Sequence, residues 1–149
     1  MRFAATTGSS RSIVYGDAFE QNELSPVETL VVSLAACSAM DVIAIAAKKR
    51  QVIDRYVVHV EADQRDEYPQ VLTRVRVVHE VEGPGLDEAA IRRAIELSAT
   101  KYCPVNAMIS AGATEVHHAY RVIRIGEDGF DASGEVVVTG PYRRPEPIA

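Results

Sequence analysis

The stretch SPVETLVVSLAACSAMDVIAIAAKKR, residues 25–50, decides how the rest of the chain must be arranged. It opens on a helix-start signature: Ser25 as N-cap, Pro26 at the first helical position, and Glu28 three residues after the cap, where a carboxylate closes a capping box. From Thr29 to Ala47 it carries one formal charge, Asp41, in nineteen residues. The spacing predicts a helix running to about Arg50 and apolar on nearly every side. Length alone would admit a membrane span. The small residues Ser33, Ala35, Ala36, Ser38 and Ala39, the charge at Asp41 and the alternating strands that follow predict instead the centre of a soluble core, or of a tightly packed dimer. Lys48, Lys49 and Arg50 complement the dipole at its C-terminal end.

Working outward, residues 2–15 read as a strand, a turn at Gly8-Ser9-Ser10 and a second strand through Ser12-Ile13-Val14-Tyr15, followed by a polar linker from Gly16 to Leu24. Residues 56–63 and 71–81 predict an antiparallel hairpin around Glu67-Tyr68-Pro69. In its second strand Val71, Thr73, Val75, Val77 and Val81 are expected to share a face opposite Arg74 and Arg76. Gly83-Pro84-Gly85 breaks the chain. Asp87 then caps a helix whose stripe is Ile91, Ala94, Ile95 and Ser98, and a short helix starts at Pro104 and stops at Gly112. Alternation returns from Val116 to Ile125. Turns at Gly126–Gly129 and Ser133-Gly134 precede a short strand, Glu135–Thr139, and a Pro-rich end. The order ββ-α-ββ-α-α-β with a C-terminal hairpin makes the fold class α+β. A single domain is expected over 1–125, with 126–149 as a β extension and tail of the same domain.

Composition narrows the class of function. The chain has 149 residues, 47% hydrophobic and 25% charged, with a formal net charge of -5. An acidic chain without a concentrated basic face is not expected to bind nucleic acid or an anionic membrane. The start MRFAATTGSS lacks a basic region followed by an apolar run, so a cytoplasmic protein is expected. In a reducing compartment its two cysteines are either inert core or redox chemistry.

Cys37, mid-helix between Ala36 and Ser38, reads by itself as a small buried hydrophobe. Cys103 directly precedes Pro104 and is expected to cap the helix that Pro104 begins. There the helix dipole and free N–H groups, with Lys101 nearby, are expected to lower its thiol pKa. Sixty-five residues lie between the two, and no C-x-x-C spacing occurs, so no metal site is expected. His59, His79, His117 and His118 fall in predicted strands and read as surface or sheet-face residues.

The segment SPVETLVVSLAACSAMDVIAIAAKKR, taken with LSATKYCPVNAMI at residues 97–109, resembles the paired cysteine segments of the OsmC/Ohr family. Ser-Pro-x-Glu, Ala-Ala-Cys-Ser-Ala-Met-Asp-Val and Ser-x-x-Lys-Tyr-Cys-Pro-Val stand in the family's order, over roughly residues 3–124, and look closest to its YhfA-like branch. The resemblance implies an intertwined homodimer, with long central helices wrapped by antiparallel-rich sheets and active sites at the subunit interface. It implies a peroxidase without cofactor: Cys37 attacks a peroxide and becomes a sulfenic acid, Cys103 resolves it as a disulfide, and a dithiol reductant (a lipoylated protein, thioredoxin or a small thiol) completes the cycle. The alternative is a non-catalytic dimer acting as redox sensor or small-ligand binder.

Two features depart from the family's peroxidase pattern. Its assisting Glu directly follows the helix-start Pro, whereas here Val27 does and Glu28 comes one place later. At about 100° and 1.5 Å per residue, Glu28 falls on the opposite side of the helix from Cys37 and about 13.5 Å along it. Glu28 is therefore either a catalytic group reaching a partner's Cys37 or a helix cap. The family's assisting Arg has only Arg2 and Arg11 as substitutes by proximity, because the first strand and loop that carry it are expected to be missing. The strand Glu135–Thr139 is expected to cover the sheet edge so exposed.

Overall fold

The structure, a computed structural model, describes residues 2–16 and 24–140. Residues 17–23 of the predicted Gly16–Leu24 linker and the Pro-rich end over 141–149 lie outside the described residues. Strands β1 (Phe3–Thr6) and β2 (Ser12–Tyr15) form an antiparallel hairpin of their own. Helix α1 (Pro26–Lys48) follows, then β3 (Arg55–Gln64) and β4 (Leu72–Pro84), an antiparallel pair. Helix α2 (Glu88–Leu97), a π-helical turn (Ser98–Tyr102) and α3 (Pro104–Ser110) lead to β5 (Glu115–Ile125) and β6 (Phe130–Thr139). The second sheet has the order β3-β4-β5-β6, and β5 runs parallel to β4. A parallel pair needs a long crossover; α2, the π turn and α3 supply it, which carries Cys103 across to α1.

The predicted caps are present. Ser25 Oγ accepts from the Glu28 N–H at 3.1 Å while the Ser25 N–H donates to Glu28 Oε2 at 2.7 Å. Asp87 caps α2 through the Ala89 N–H at 3.0 Å. Helix α1 stops at Lys48, two residues short of the expected Arg50, and Arg50 leaves the helix at φ 56°.

Expectations for the later strands need correction. The strand expected at Glu135–Thr139 begins at Phe130, and it pairs with β5 rather than covering the β1–β2 hairpin. The turn expected at Ser133-Gly134 is not made; Gly134 instead lets the strand pass beside Tyr120, because a Cβ there would sit 3.1 Å from the Tyr120 ring. On β4 the alternation holds from Val75 onward, but Val71 and Thr73 are exposed and Leu72 is buried. The register shift between Asp63 and Gln64 accompanies that change of phase.

One face of α1 packs Val31, Leu34, Ala35, Ser38, Val42 and Ala46 into the interior. Val31 and Leu34 join Leu72, Val75, Val77 and Val116 in one apolar cluster; Val42 and Ala46 join Val81, Ile91, Ile95 and Val122 in another. Between the two runs a belt of fully buried polar residues, Ser38 on α1, His79 on β4, Ser98 at the π turn and His118 on β5, each at 0% exposure. Of the histidines read as surface or sheet-face residues, His79 and His118 are sheet-face residues, on the buried face. Each shares strand parity with buried valines, Val77 and Val81 on β4, Val116 and Val122 on β5, and parity alone places them inside.

Candidate functional site

The π turn ends where Cys103 N–H donates to Ser98 O at 2.9 Å, a five-residue step. Pro104 then starts α3, and the residue before a proline is driven to extended backbone; Cys103 sits at φ -73°, ψ 105°. This puts its side chain at the N-cap, where Sγ accepts from the Asn106 N–H at 3.3 Å. It also aims the thiol at α1. Cys103 donates its S–H to Cys37 Sγ at 2.8 Å, and both cysteines are free.

The expected lowering of the Cys103 thiol pKa is overturned. Cys103 is 3% exposed, and burial, helped by the hydrogen bond to Cys37, pushes its thiol up to about 12. The Asn106 N–H opposes this but does not prevail. A seven-residue helix offers little dipole, and desolvation of a thiolate costs more than one N–H returns. Lys101, expected to add charge here, lies exposed with Nζ over the Tyr102 ring at 5.3 Å. Cys103 is therefore held protonated, with its S–H pointing at Cys37 Sγ.

Asp41, one helical turn after Cys37, completes the cluster: one donor atom from each of Cys37, Asp41 and Cys103 lies within 4.8 Å of the others. Two sulfurs 2.8 Å apart are too close to share a tetrahedral zinc, whose Zn–S bonds of about 2.3 Å hold sulfurs about 3.7 Å apart. Ser98 O–H donates to Asp41 Oδ2 at 3.0 Å. Glu28 stays at the mouth of α1, exposed, its carboxyl held below the usual range by the hydrogen bonds from Ser25. Arg11 lies exposed in the loop of the β1–β2 hairpin and lines a shallow cavity with Ala5, Ile13 and Tyr15.

Behind the cysteines lies a network that the sequence reading missed. The Tyr56 hydroxyl bonds His79 Nδ1 at 2.6 Å, His79 Nε2 faces His118 Nδ1 at 3.4 Å, and His118 Nε2 meets Asn106 Oδ1 at 2.9 Å. Burial, and the proximity of another histidine to each, lowers the His79 pKa to about 3 and the His118 pKa to about 4. Both rings are neutral at physiological pH.

Comparison with known proteins agrees with this architecture. Residues 19–118 match the family described as OsmC-like protein. Protein YhfA of Escherichia coli (strain K12) is 32% identical over 123 residues, 83% of this chain and 91% of that protein. Among solved structures, a hypothetical protein from Aquifex aeolicus superposes with TM-score 0.70 at 23% identity, covering 85% of this chain and 97% of that one. An OsmC-like protein from Mycoplasma pneumoniae superposes with TM-score 0.63 at 16% identity, over 82% and 95%. An organic hydroperoxide resistance protein from Legionella pneumophila does so with TM-score 0.55 at 14% identity, over 84% and 97%. By its matched sequence, and with a fold to suit, the chain belongs to the OsmC-like family.

Proposed function

We propose that the protein is a cytoplasmic thiol-dependent peroxidase that reduces organic hydroperoxides or hydrogen peroxide through Cys37 and Cys103. The observation that carries this reading is the 2.8 Å approach of the two sulfurs, with Cys103 as donor. A Cys37 thiolate attacks the O–O bond, the alkoxide leaves and takes up a proton, and Cys37 becomes a sulfenic acid. Cys103, already in contact, displaces the hydroxyl as water and closes a disulfide, which a lipoylated protein, thioredoxin or small thiol reduces. Fold neighbours named organic hydroperoxide resistance proteins support the class of substrate.

The working unit in this reading is a homodimer. Val32, Ala36, Met40, Ile43 and Ala47 recur at helical spacing along α1 and are all exposed in the single chain, Met40 at 73%. The β1–β2 hairpin likewise exposes Phe3, Ile13 and Val14. A second copy that lays its α1 on the α1 stripe removes that apolar surface from water. Glu28 takes part in chemistry only across that interface, since within its own chain it closes the capping box.

The test is peroxide consumption with dithiothreitol, lipoamide or thioredoxin as reductant, on wild type, Cys37→Ser and Cys103→Ser. Turnover by wild type that vanishes in Cys37→Ser is expected. No turnover with any reductant would leave the second reading, a redox sensor or small-ligand binder. The buried, high-pKa resolving thiol and the capping role of Glu28 favour that second reading.

A further inference from the structure

The direction of the buried hydrogen-bond network follows atom by atom. Asn106 Nδ2 donates to Ala99 O at 2.8 Å and Thr139 Oγ1 at 3.1 Å. Its Oδ1 is therefore the acceptor, and His118 Nε2 carries the hydrogen. A neutral His118 then offers Nδ1 as acceptor to His79 Nε2–H, and a neutral His79 offers Nδ1 to the Tyr56 hydroxyl. On the other branch Ser98 O–H goes to Asp41 Oδ2 at 3.0 Å, nearer than the Ser38 carbonyl at 3.5 Å. Ser38 O–H then donates to Ser98 Oγ at 3.2 Å and accepts from His79 Nε2–H at 3.5 Å. The hydroxyl hydrogens of Ser38 and Ser98 thus point toward the Asp41 carboxylate, and His79 Nε2–H is shared between Ser38 Oγ and His118 Nδ1. Ser98, backed by buried Ser38 and His79, holds one acidic side chain in place beside two thiols.

We propose that Asp41 is the proton acceptor for the Cys103 thiol as that thiol closes a disulfide with Cys37, with Ser98 as the residue that positions it. This rests on the cysteine-pair chemistry of the peroxidase reading. Only a thiolate attacks a sulfur, and the S–H of buried Cys103 points at Cys37 Sγ, the atom it must attack, so its proton has to leave for another acceptor. An Asp41 carboxylate oxygen stands within 4.8 Å of both sulfurs, a span short enough for proton transfer through one water. In the step, the Cys103 S–H proton passes to Asp41 and the sulfur's electron pair forms the S–S bond to Cys37. The Cys37–O bond of the sulfenic acid breaks, and the departing hydroxide takes the proton back from Asp41 as water. Two sulfurs are oxidised to the disulfide level by the peroxide already consumed at Cys37.

The charge of Asp41 alone would act the other way. A carboxylate beside a thiol disfavours the thiolate, so its removal would speed disulfide closure. The two roles differ in sign, and the experiment reads that sign without peroxide. Reduced protein is mixed with the chromogenic disulfide dithiobis-nitrobenzoate. Cys37 releases a first thionitrobenzoate and becomes a mixed disulfide; Cys103 then attacks it and releases a second, its proton passing through Asp41 to solvent. Cys103→Ser supplies the trace with the first release only. Asp41→Asn, which keeps an oxygen for Ser98, is expected to slow the second release about 100-fold, within the usual range of general base catalysis, while the first release, from Cys37, is not slowed because loss of a nearby negative charge favours its thiolate. A second release as fast as wild type, or faster, overturns the proposal. If Asp41→Asn does not fold, Ser98→Ala decides: a several-fold slower second release supports the assignment and an unchanged one overturns it. Wild type that consumes no peroxide yet still shows the Asp41 dependence would sink the peroxidase reading and leave this inference standing.

Discussion

Cys103, 3% exposed, donates its S–H to Cys37 Sγ across 2.8 Å, although the two stand 66 positions apart. Contact on that scale makes disulfide formation a matter of small local movement. Mild oxidation is therefore expected to take the free-thiol count of the native protein to zero as an intrachain bond forms. Cys103→Ser should instead leave a sulfenic acid on Cys37 that dimedone traps, read by mass spectrometry. Intermolecular disulfides in wild type would contradict this.

The histidine belt sets an acid limit to stability. The folded His79 and His118 pKa values, about 3 and about 4, lie below the ordinary 6.5. Between those values the unfolded chain binds more protons, so stability is full above about pH 6.5 and is lost as pH falls toward 4. From pH 7.5 to pH 5 each histidine is expected to remove on the order of 2 kcal/mol. Urea unfolding at the two pH values checks this, and His118→Gln should flatten the difference by about half.

Gly83 lies where β4 passes the segment that leaves α1. A Cβ at that position would meet Val52 O at 2.2 Å and Asp54 N at 3.3 Å, both backbone. Gly83→Ala is expected to cost about 3 kcal/mol through a forced backbone shift, measured by chemical denaturation. The same change at Gly8, where nothing lies within 4 Å, should be nearly silent.

The exposed α1 stripe predicts the response of assembly. Met40→Glu or Ile43→Glu puts a charge where an apolar face is expected to meet its copy. Sedimentation should show wild type as a dimer and either variant as monomer or aggregate. A dimer undisturbed by both changes would move the interface elsewhere.

Glu28 can be tested apart from the helix it caps. Glu28→Gln retains a side chain suited to the third position of the capping box, so stability should change by less than about 0.5 kcal/mol. If the cap is its whole role, peroxide consumption is unchanged. A fall of more than about tenfold in turnover with stability intact would show that the carboxylate acts on a partner's Cys37.

The sequence by itself determined the pieces whose causes are local. Ser25-Pro26-x-Glu28 sets the start of α1, Asp87 caps α2, the alternation of valines makes β4 and β5, and Pro104 forces Cys103 out of helical geometry. Strand parity also places His79 and His118 on the same face as the buried valines of β4 and β5, but the sequence leaves open whether that sheet face is covered. What only the tertiary structure decided is where these pieces meet. The parallel placement of β5 beside β4 brings the π turn to α1, so that Ser98 reaches Asp41 and Cys103 reaches Cys37. Motif spacing at Pro104 announced a capping cysteine with a lowered pKa. Burial reversed the sign, because desolvation depends on every element packed around a thiol and not on its neighbours in sequence.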